Sequence, residues 1–147
     1  MSDTESNLLD QKRYRDEYLP LSFAQHGLVV RRGEGGGVLT NVPHRVERVS
    51  PKGFEFGYSG TAPSDLALNA VEHLLQHLVT EGVIEGPFDY HTDKEGGIHR
   101  GRVSKTSFRL FPEFEEKFIA TMSRSGGSVD YEVLKTWILN CLDSNRK

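Results

Sequence analysis

Cysteine is almost missing from this chain: one residue, Cys141, in 147. A single thiol excludes an internal disulfide, and with it the small secreted folds that depend on several bridges. Cys141 falls in an apolar C-terminal stretch, so a buried structural thiol in a reducing, intracellular setting is the expectation. Long apolar runs are missing too. No stretch approaches the ~18 residues of a membrane span. Past the initial methionine, residues 1–18 offer only Leu8, Leu9, Tyr14 and Tyr18 as large apolar side chains, which is not the pattern of a secretory signal. Positive charge is not in excess either. The formal net charge of −3 argues against nonspecific nucleic-acid affinity as the dominant property. The expectation is a cytoplasmic protein with no membrane partner.

Catalytic signatures are equally scarce. There is no Gly-x-Ser-x-Gly elbow, and Cys141 has no neighbouring histidine. Asp89, Asp93 and Glu95 are close in sequence, but beside Gly96 and Gly97 they read as solvated loop acids rather than an acid/base pair. The glycines at 35–37 lack the Lys-Ser/Thr ending and the following helix of a phosphate-binding loop. His73 and His77 have the i, i+4 spacing of a metal pair, yet Leu74 stands where a zincin has its glutamate. A third ligand would have to come from His91, Asp93 or His99. No catalytic residue, metal or cofactor is therefore expected.

What is present is a pattern of short strands and amphipathic helices. A chain of this length suits one domain, able to bury roughly two thirds of its unfolded surface. Residues 1–18 read as a flexible arm, or as a short helix that orders only on packing, and 19–147 as one α+β domain. Gly27–Arg32 and Val38–Val42 flank the Gly33–Gly37 turn as a hairpin. Arg45–Ser50 is an irregular strand or extended edge, because Val46 and Val49 break alternation. Phe54 and Phe56 alternate with Glu55 as a further strand. Leu68, Val71, Leu75 and Leu78 mark one face of a helix over 64–80, with Pro63 in its first turn, Thr61 or Ser64 as cap and Gly82 as stop. A second hairpin joins 88–91 to 98–103. Ser107–Phe111 is a short strand or a lead into a helix opening at Pro112. Arg124–Ser128 breaks that helix before a last one over Val129–Leu142. The expected architecture is an antiparallel sheet of about four N-terminal strands plus a hairpin, packed with a central helix and two C-terminal helices.

The densest patterning lies at Gly53, Phe54, Phe56, Gly57, Tyr58, Gly60, Thr61, Pro63, Leu66, Ala67 and Leu68. This string resembles an uncharacterised domain family of phages, plasmids and other mobile elements. That family's core runs Gly-Phe-x-Trp/Phe-Gly-Tyr-x-Gly-Ser/Thr-x-Pro-x-x-Leu-Ala-Leu. Phe56 stands where tryptophan is more usual. The resemblance covers about a tenth of the chain and carries no assigned chemistry. It implies a mobile-element accessory protein, with a host or phage protein as partner and host defence as a target of inhibition.

Read from the residues, Gly57, Tyr58, Ser59, Gly60, Thr61 and Ser64 form a turn at a helix start that could take a partner or an anion. The competing reading is strand-to-helix punctuation. A second candidate surface is the basic run of Arg100, Arg102, Lys105 and Arg109 beside His99, suited to nucleic-acid phosphates or an acidic partner. The acidic stretch from Glu81 to Glu95 would be the opposite pole, itself able to dock on a basic protein. The oligomeric state is left open.

Overall fold

The computed structural model describes residues 8–86, 88–91 and 100–144. The architecture is α+β. Its largest sheet has the strand order β1 (Glu17–Tyr18), β3 (Val38–Thr40), β2 (Leu28–Arg32) and β8 (Gly126–Val129). β2 pairs antiparallel with both neighbours, Val30 facing Thr40 on one side and Gly127 on the other. β1 adds to β3 in parallel, Tyr18 facing Thr40. The expected first hairpin is thus present, but the sheet around it is assembled from both ends of the chain.

Two departures follow from where backbone groups find partners. The segment after β4 (Val46–Glu47) does not extend that sheet. The N–H groups of Arg48, Val49 and Ser50 all donate to the Asp65 carboxylate, at 3.0–3.2 Å, so the chain turns onto a helix. β4 pairs instead with β6 (Arg100–Gly101). Phe54–Phe56 is not a strand either. The Phe54 N–H donates to Asp16, and both rings are buried. The break expected at Arg124–Ser128 becomes β8, which the glycine content makes possible. Gly126 has φ +112, and a Cβ there would lie 2.4 Å from the Val30 carbonyl oxygen, so no side chain fits that close pairing.

A short helix, α1 (Phe23–His26), precedes β2, and the central α2 runs Thr61–Thr80. The expected leucine stripe packs inward, but α2 is buried on nearly all sides. Leu66, Ala67, Leu68, Ala70, Val71, Leu74, Leu75 and Leu78 are in the core, and Asp65, Asn69 and Glu72 are buried as well. The second hairpin is met only in part: β5 (Tyr90–His91) pairs with β7 (Val103–Ser104), while Arg100–Gly101, expected in the same strand, pairs with β4; the expected turn at 93–97 lies outside the described residues. Ser107–Phe111 is helical, within α3 (Lys105–Phe114), because the Ser104 hydroxyl accepts the Ser107 N–H at 3.0 Å as an N-cap. Pro112 removes one donor from that helix. The chain then widens into a π turn over Glu115–Ile119. After β8 the chain ends in α4 (Tyr131–Ser144).

Residues 8–18, expected as part of an arm, lie against the body. Leu9 N–H donates to the His44 carbonyl, and Arg15 N–H to that of Lys52. Tyr14 is buried, its ring stacked 3.6 Å from His44, while Phe54 stacks on the other imidazole face at 3.8 Å. His44 Nε2 meets the Asp16 carboxylate at 2.7 Å.

Candidate functional site

The motif divides into a buried scaffold and an exposed tip. Phe54, Phe56, Pro63, Leu66, Ala67 and Leu68 are buried, with the Arg32 guanidinium 4.3 Å over the Phe56 ring. Tyr58 is 51% exposed. The turn between them is fixed by the π segment. Gly57 N–H donates to the Ile119 carbonyl at 3.0 Å, Gly60 N–H to Glu115 Oε2 at 3.2 Å, and the Ser64 hydroxyl to Glu115 Oε1 at 2.7 Å. A carboxylate from elsewhere in the chain therefore serves as the anion at the start of α2, where the helix dipole favours negative charge. Neither Thr61 nor Ser64 caps the helix, as the sequence had suggested. The cap residue is Gly60, and its own side has no capping hydrogen bond.

The two turn glycines act differently. Gly57 has φ +85, a left-handed geometry that side chains avoid. Gly60 is extended at φ 177, open to any residue on backbone grounds. Its bareness leaves room for Tyr58: a Cβ there would come within 2.9 Å of that ring. Ser59 and Thr61 are exposed beside it, as are Ser123, Arg124 and Ser125. The turn rests on that second loop, with Met122 O 3.3 Å and Arg124 Cα 4.0 Å from where a Gly57 Cβ would stand.

A second arrangement runs along the middle of α2, at Asp65, Asn69, Glu72, His73 and Gln76, positions that share one side of a helix. Asn69 accepts the N–H groups of Arg45 (2.6 Å) and Val46 (2.9 Å) and donates to the carbonyls of Val46 and Asp65. Glu72 Oε1 accepts from Ser104 N–H at 2.6 Å and the Ser107 hydroxyl at 3.0 Å, and Oε2 from Gln76. Gln76 also donates to the Tyr90 hydroxyl. His73 Nδ1 accepts from the Arg45 guanidinium, 3.0 Å from Nη2, which places the imidazole proton on Nε2. Burial, helped by the Arg45 charge and by His77, holds His73 down to about 3. Burial likewise lowers Arg45 from its ordinary value, and raises the Asp65 carboxyl against the pull of its backbone donors.

The basic run is partly visible. Arg102 is exposed, its guanidinium 3.8 Å over the Tyr90 ring. Lys105 and Arg109 are exposed one turn apart on α3. Arg100 sits in β6 opposite Glu47, and His99 lies outside the described residues. His73 and His77 share a face, but the engagement of His73 Nδ1 by Arg45 leaves that nitrogen unsuited to metal, and Asp93 and His99 lie outside the described residues. Among the described residues no group of three metal-binding side chains gathers, and no helix is long and apolar enough to cross a membrane. The Cys141 thiol is partly buried, and that burial pushes its pKa up.

The Gly33–Gly37 turn borders an open cleft of about 740 Å³ whose lining includes Arg15 and Lys52 together with Asp16, Glu17, Glu34 and Glu55. Asp16 is bound to His44 and Glu55 to Arg32. No family model, curated protein or solved structure matches the chain. The sequence reading missed Glu115 and Arg45. Glu115 gives no signal, since it is one of several acids opening a helix. Arg45 was legible only as an arginine inside a stretch with two inward valines.

Proposed function

We propose that this chain is a binding domain that acts by protein–protein contact through the Gly57–Thr61 turn, with Tyr58 as the anchor. One observation carries the reading. The turn is held by three hydrogen bonds to the π segment, yet the single large side chain at its tip is left half in solvent. An exposed tyrosine on a fixed backbone, flanked by hydroxyls and an arginine, is the composition of an interface hot spot, because the ordering entropy of the turn's backbone is already lost before binding. The anion-binding alternative for the same turn is weakened by Glu115, which already takes the Gly60 and Ser64 donors. The motif's resemblance to mobile-element proteins makes a host or phage protein in the cytoplasm the partner, with a host defence component as the target to test first.

The test is retrieval of tagged protein from host lysate, with and without nuclease, for the wild type and Tyr58→Ala. A stoichiometric, nuclease-resistant partner that the variant loses supports the reading. A partner held equally by both, or none, refutes it. The exposed, one-turn spacing of Lys105 and Arg109 favours a second reading, in which a nucleic acid is bound. Capture that disappears with nuclease and with Lys105→Glu/Arg109→Glu would select that reading instead.

A further inference from the structure

The two edges of the four-stranded sheet differ in their cover. At the β1 edge the 52–54 segment closes the outer side: the Arg15 N–H donates to the Lys52 carbonyl at 2.9 Å, and the Phe54 N–H to the Asp16 carboxylate at 3.1 Å. β8 forms the other edge, with β2 as its one neighbour in the sheet. The Val29 N–H meets Asn41 Oδ1 at 2.9 Å, and the Val29 carbonyl accepts from the Asn41 N–H at 3.4 Å, so Val29 faces β3. Backbone groups alternate along an antiparallel ladder. Leu28 and Val30 therefore face β8, where they stand opposite Val129 and Gly127. What is left on the outer side of β8 is the Gly126 carbonyl and both backbone groups of Ser128. Gly127 and Ser128 are exposed, and for Gly127 that exposure is the backbone itself.

An open edge is a template for another strand, and proteins commonly guard it with a proline or a charged side chain. Gly126–Val129 contains neither. The charges stand just outside it, and they are self-complementary. Arg124 and Asp130 are both exposed, neither makes an ion pair among the described residues, and Gly127 lies midway between them in sequence. A second copy laid antiparallel, with the two-fold axis at Gly127, sets Gly126 of each copy opposite Ser128 of the other. The Ser128 N–H of each then meets the Gly126 carbonyl of the other. The Gly126 N–H is not needed, since it already donates to the Ser123 carbonyl at 2.9 Å. The same register brings each Arg124 to the Asp130 of the other copy, whereas a parallel copy in register would set arginine against arginine. Glycine on glycine at the axis lets the backbones approach closely. A two-fold contact also consumes the edge, so assembly stops at two chains.

We propose that β8 is the contact surface of a symmetric homodimer, in which the β8 strands of two copies pair antiparallel about Gly127 and join their sheets. The inference goes beyond the Tyr58 turn and does not depend on it; Arg124 alone borders both surfaces.

Sedimentation equilibrium of the purified chain tests it, with no other protein present. The mass should rise with concentration from 16.5 kDa toward twice that value, with a dissociation constant in the micromolar range, as suits a short contact. Ser128→Pro removes the outward N–H and no hydrogen bond within the chain. Proline is accepted where the N–H of an edge strand faces solvent, so this variant should fold and stay monomeric. Arg124→Glu and Asp130→Arg should each weaken the dimer about tenfold, because each sets like charges together in both halves of the contact. The two changes combined should restore it. A mass of one chain up to about 1 mM, a dimer unaffected by Ser128→Pro, or a double exchange no tighter than the single variants overturns the proposal. Should Ser128→Pro not fold, the charge exchange decides alone.

Discussion

The start and the middle of α2 handle polarity in opposite ways. At the start, Gly57, Gly60 and Ser64 are matched by Ile119 O and the two Glu115 carboxylate oxygens, and Tyr58 is turned outward with Ser59 and Thr61 beside it. In the middle, Asp65, Asn69, Glu72 and His73 are drawn inside and hold down the 45–50 and 104–107 segments. There the Arg45 guanidinium has His73 Nδ1 as its hydrogen-bond acceptor among the described residues. One end of the helix is finished and presents a side chain. The middle is closed over and spends its side chains on binding backbone from other segments. One helix thus has an exposed turn at its start and a buried polar hub at its middle.

The strongest way to break the comparison is to remove the hub of the middle region. Asn69→Ala strands the N–H groups of Arg45 and Val46 and the carbonyl of Val46, all of which it serves. Each buried orphan costs about 1–3 kcal/mol, so a loss of about 4 kcal/mol in urea unfolding is expected, with the m-value unchanged. A loss under 1 kcal/mol would mean that water replaces the amide and the region is not closed.

Removing Glu115 is the matching change at the helix start. Glu115→Ala takes away two charge-assisted hydrogen bonds and the anion at the dipole, for about 2 kcal/mol. Glu115→Gln keeps an acceptor and should recover about half. Equal losses for the two variants would show that packing of the π segment, rather than charge, secures the turn.

These two residues also show what the sequence could and could not tell. The leucine face of α2 is local, a repeat readable from Leu68 to Leu78, and it packs as the spacing implies. The first hairpin is local as well, set by the glycines at 33–37. Asn69 and Glu115 depend on contacts 23 and 55 residues away, and nothing in their own neighbourhoods marks them. β8 was read as a break because glycines weaken a strand intrinsically, while its pairing with β2 requires glycine at 126 for a reason that only the partner strand reveals. The motif was visible as a string. Its division into buried rings and one exposed tyrosine was not, because alternation along Phe54–Phe56 implied a strand, whereas the Phe54 N–H pairs with the Asp16 side chain.

Acid sharpens the contrast, since the middle of α2 titrates and its start is held by a carboxylate against backbone. His73 is depressed to about 3 from an ordinary 6.5. Between those values the unfolded chain binds a proton that the native chain refuses, so stability falls as pH drops below 6.5. A loss of roughly 1–2 kcal/mol between pH 6.5 and 5 is expected. Asp65, raised by burial, acts with the opposite sign: its native form takes up a proton first as pH falls past its raised value, so it offsets part of the loss at the acid end. His73→Phe should flatten the slope above pH 5. A slope that survives this substitution would assign it to another group.

The smallest effect on stability belongs to Tyr58. Its ring is half in water and leans over Gly60, so Tyr58→Ala removes little buried area and no hydrogen bond in which the hydroxyl takes part among the described residues. The expected change is within about 0.5 kcal/mol. Gly60→Val provides the complementary test, because the extended backbone at that position accepts valine and only the ring must move. Both variants should melt near the wild type and both should lose partner capture. If Gly60→Val instead unfolds the domain, the turn is strained in a way its φ of 177° does not suggest, and the exposure of Tyr58 would be a by-product of packing rather than a presented surface.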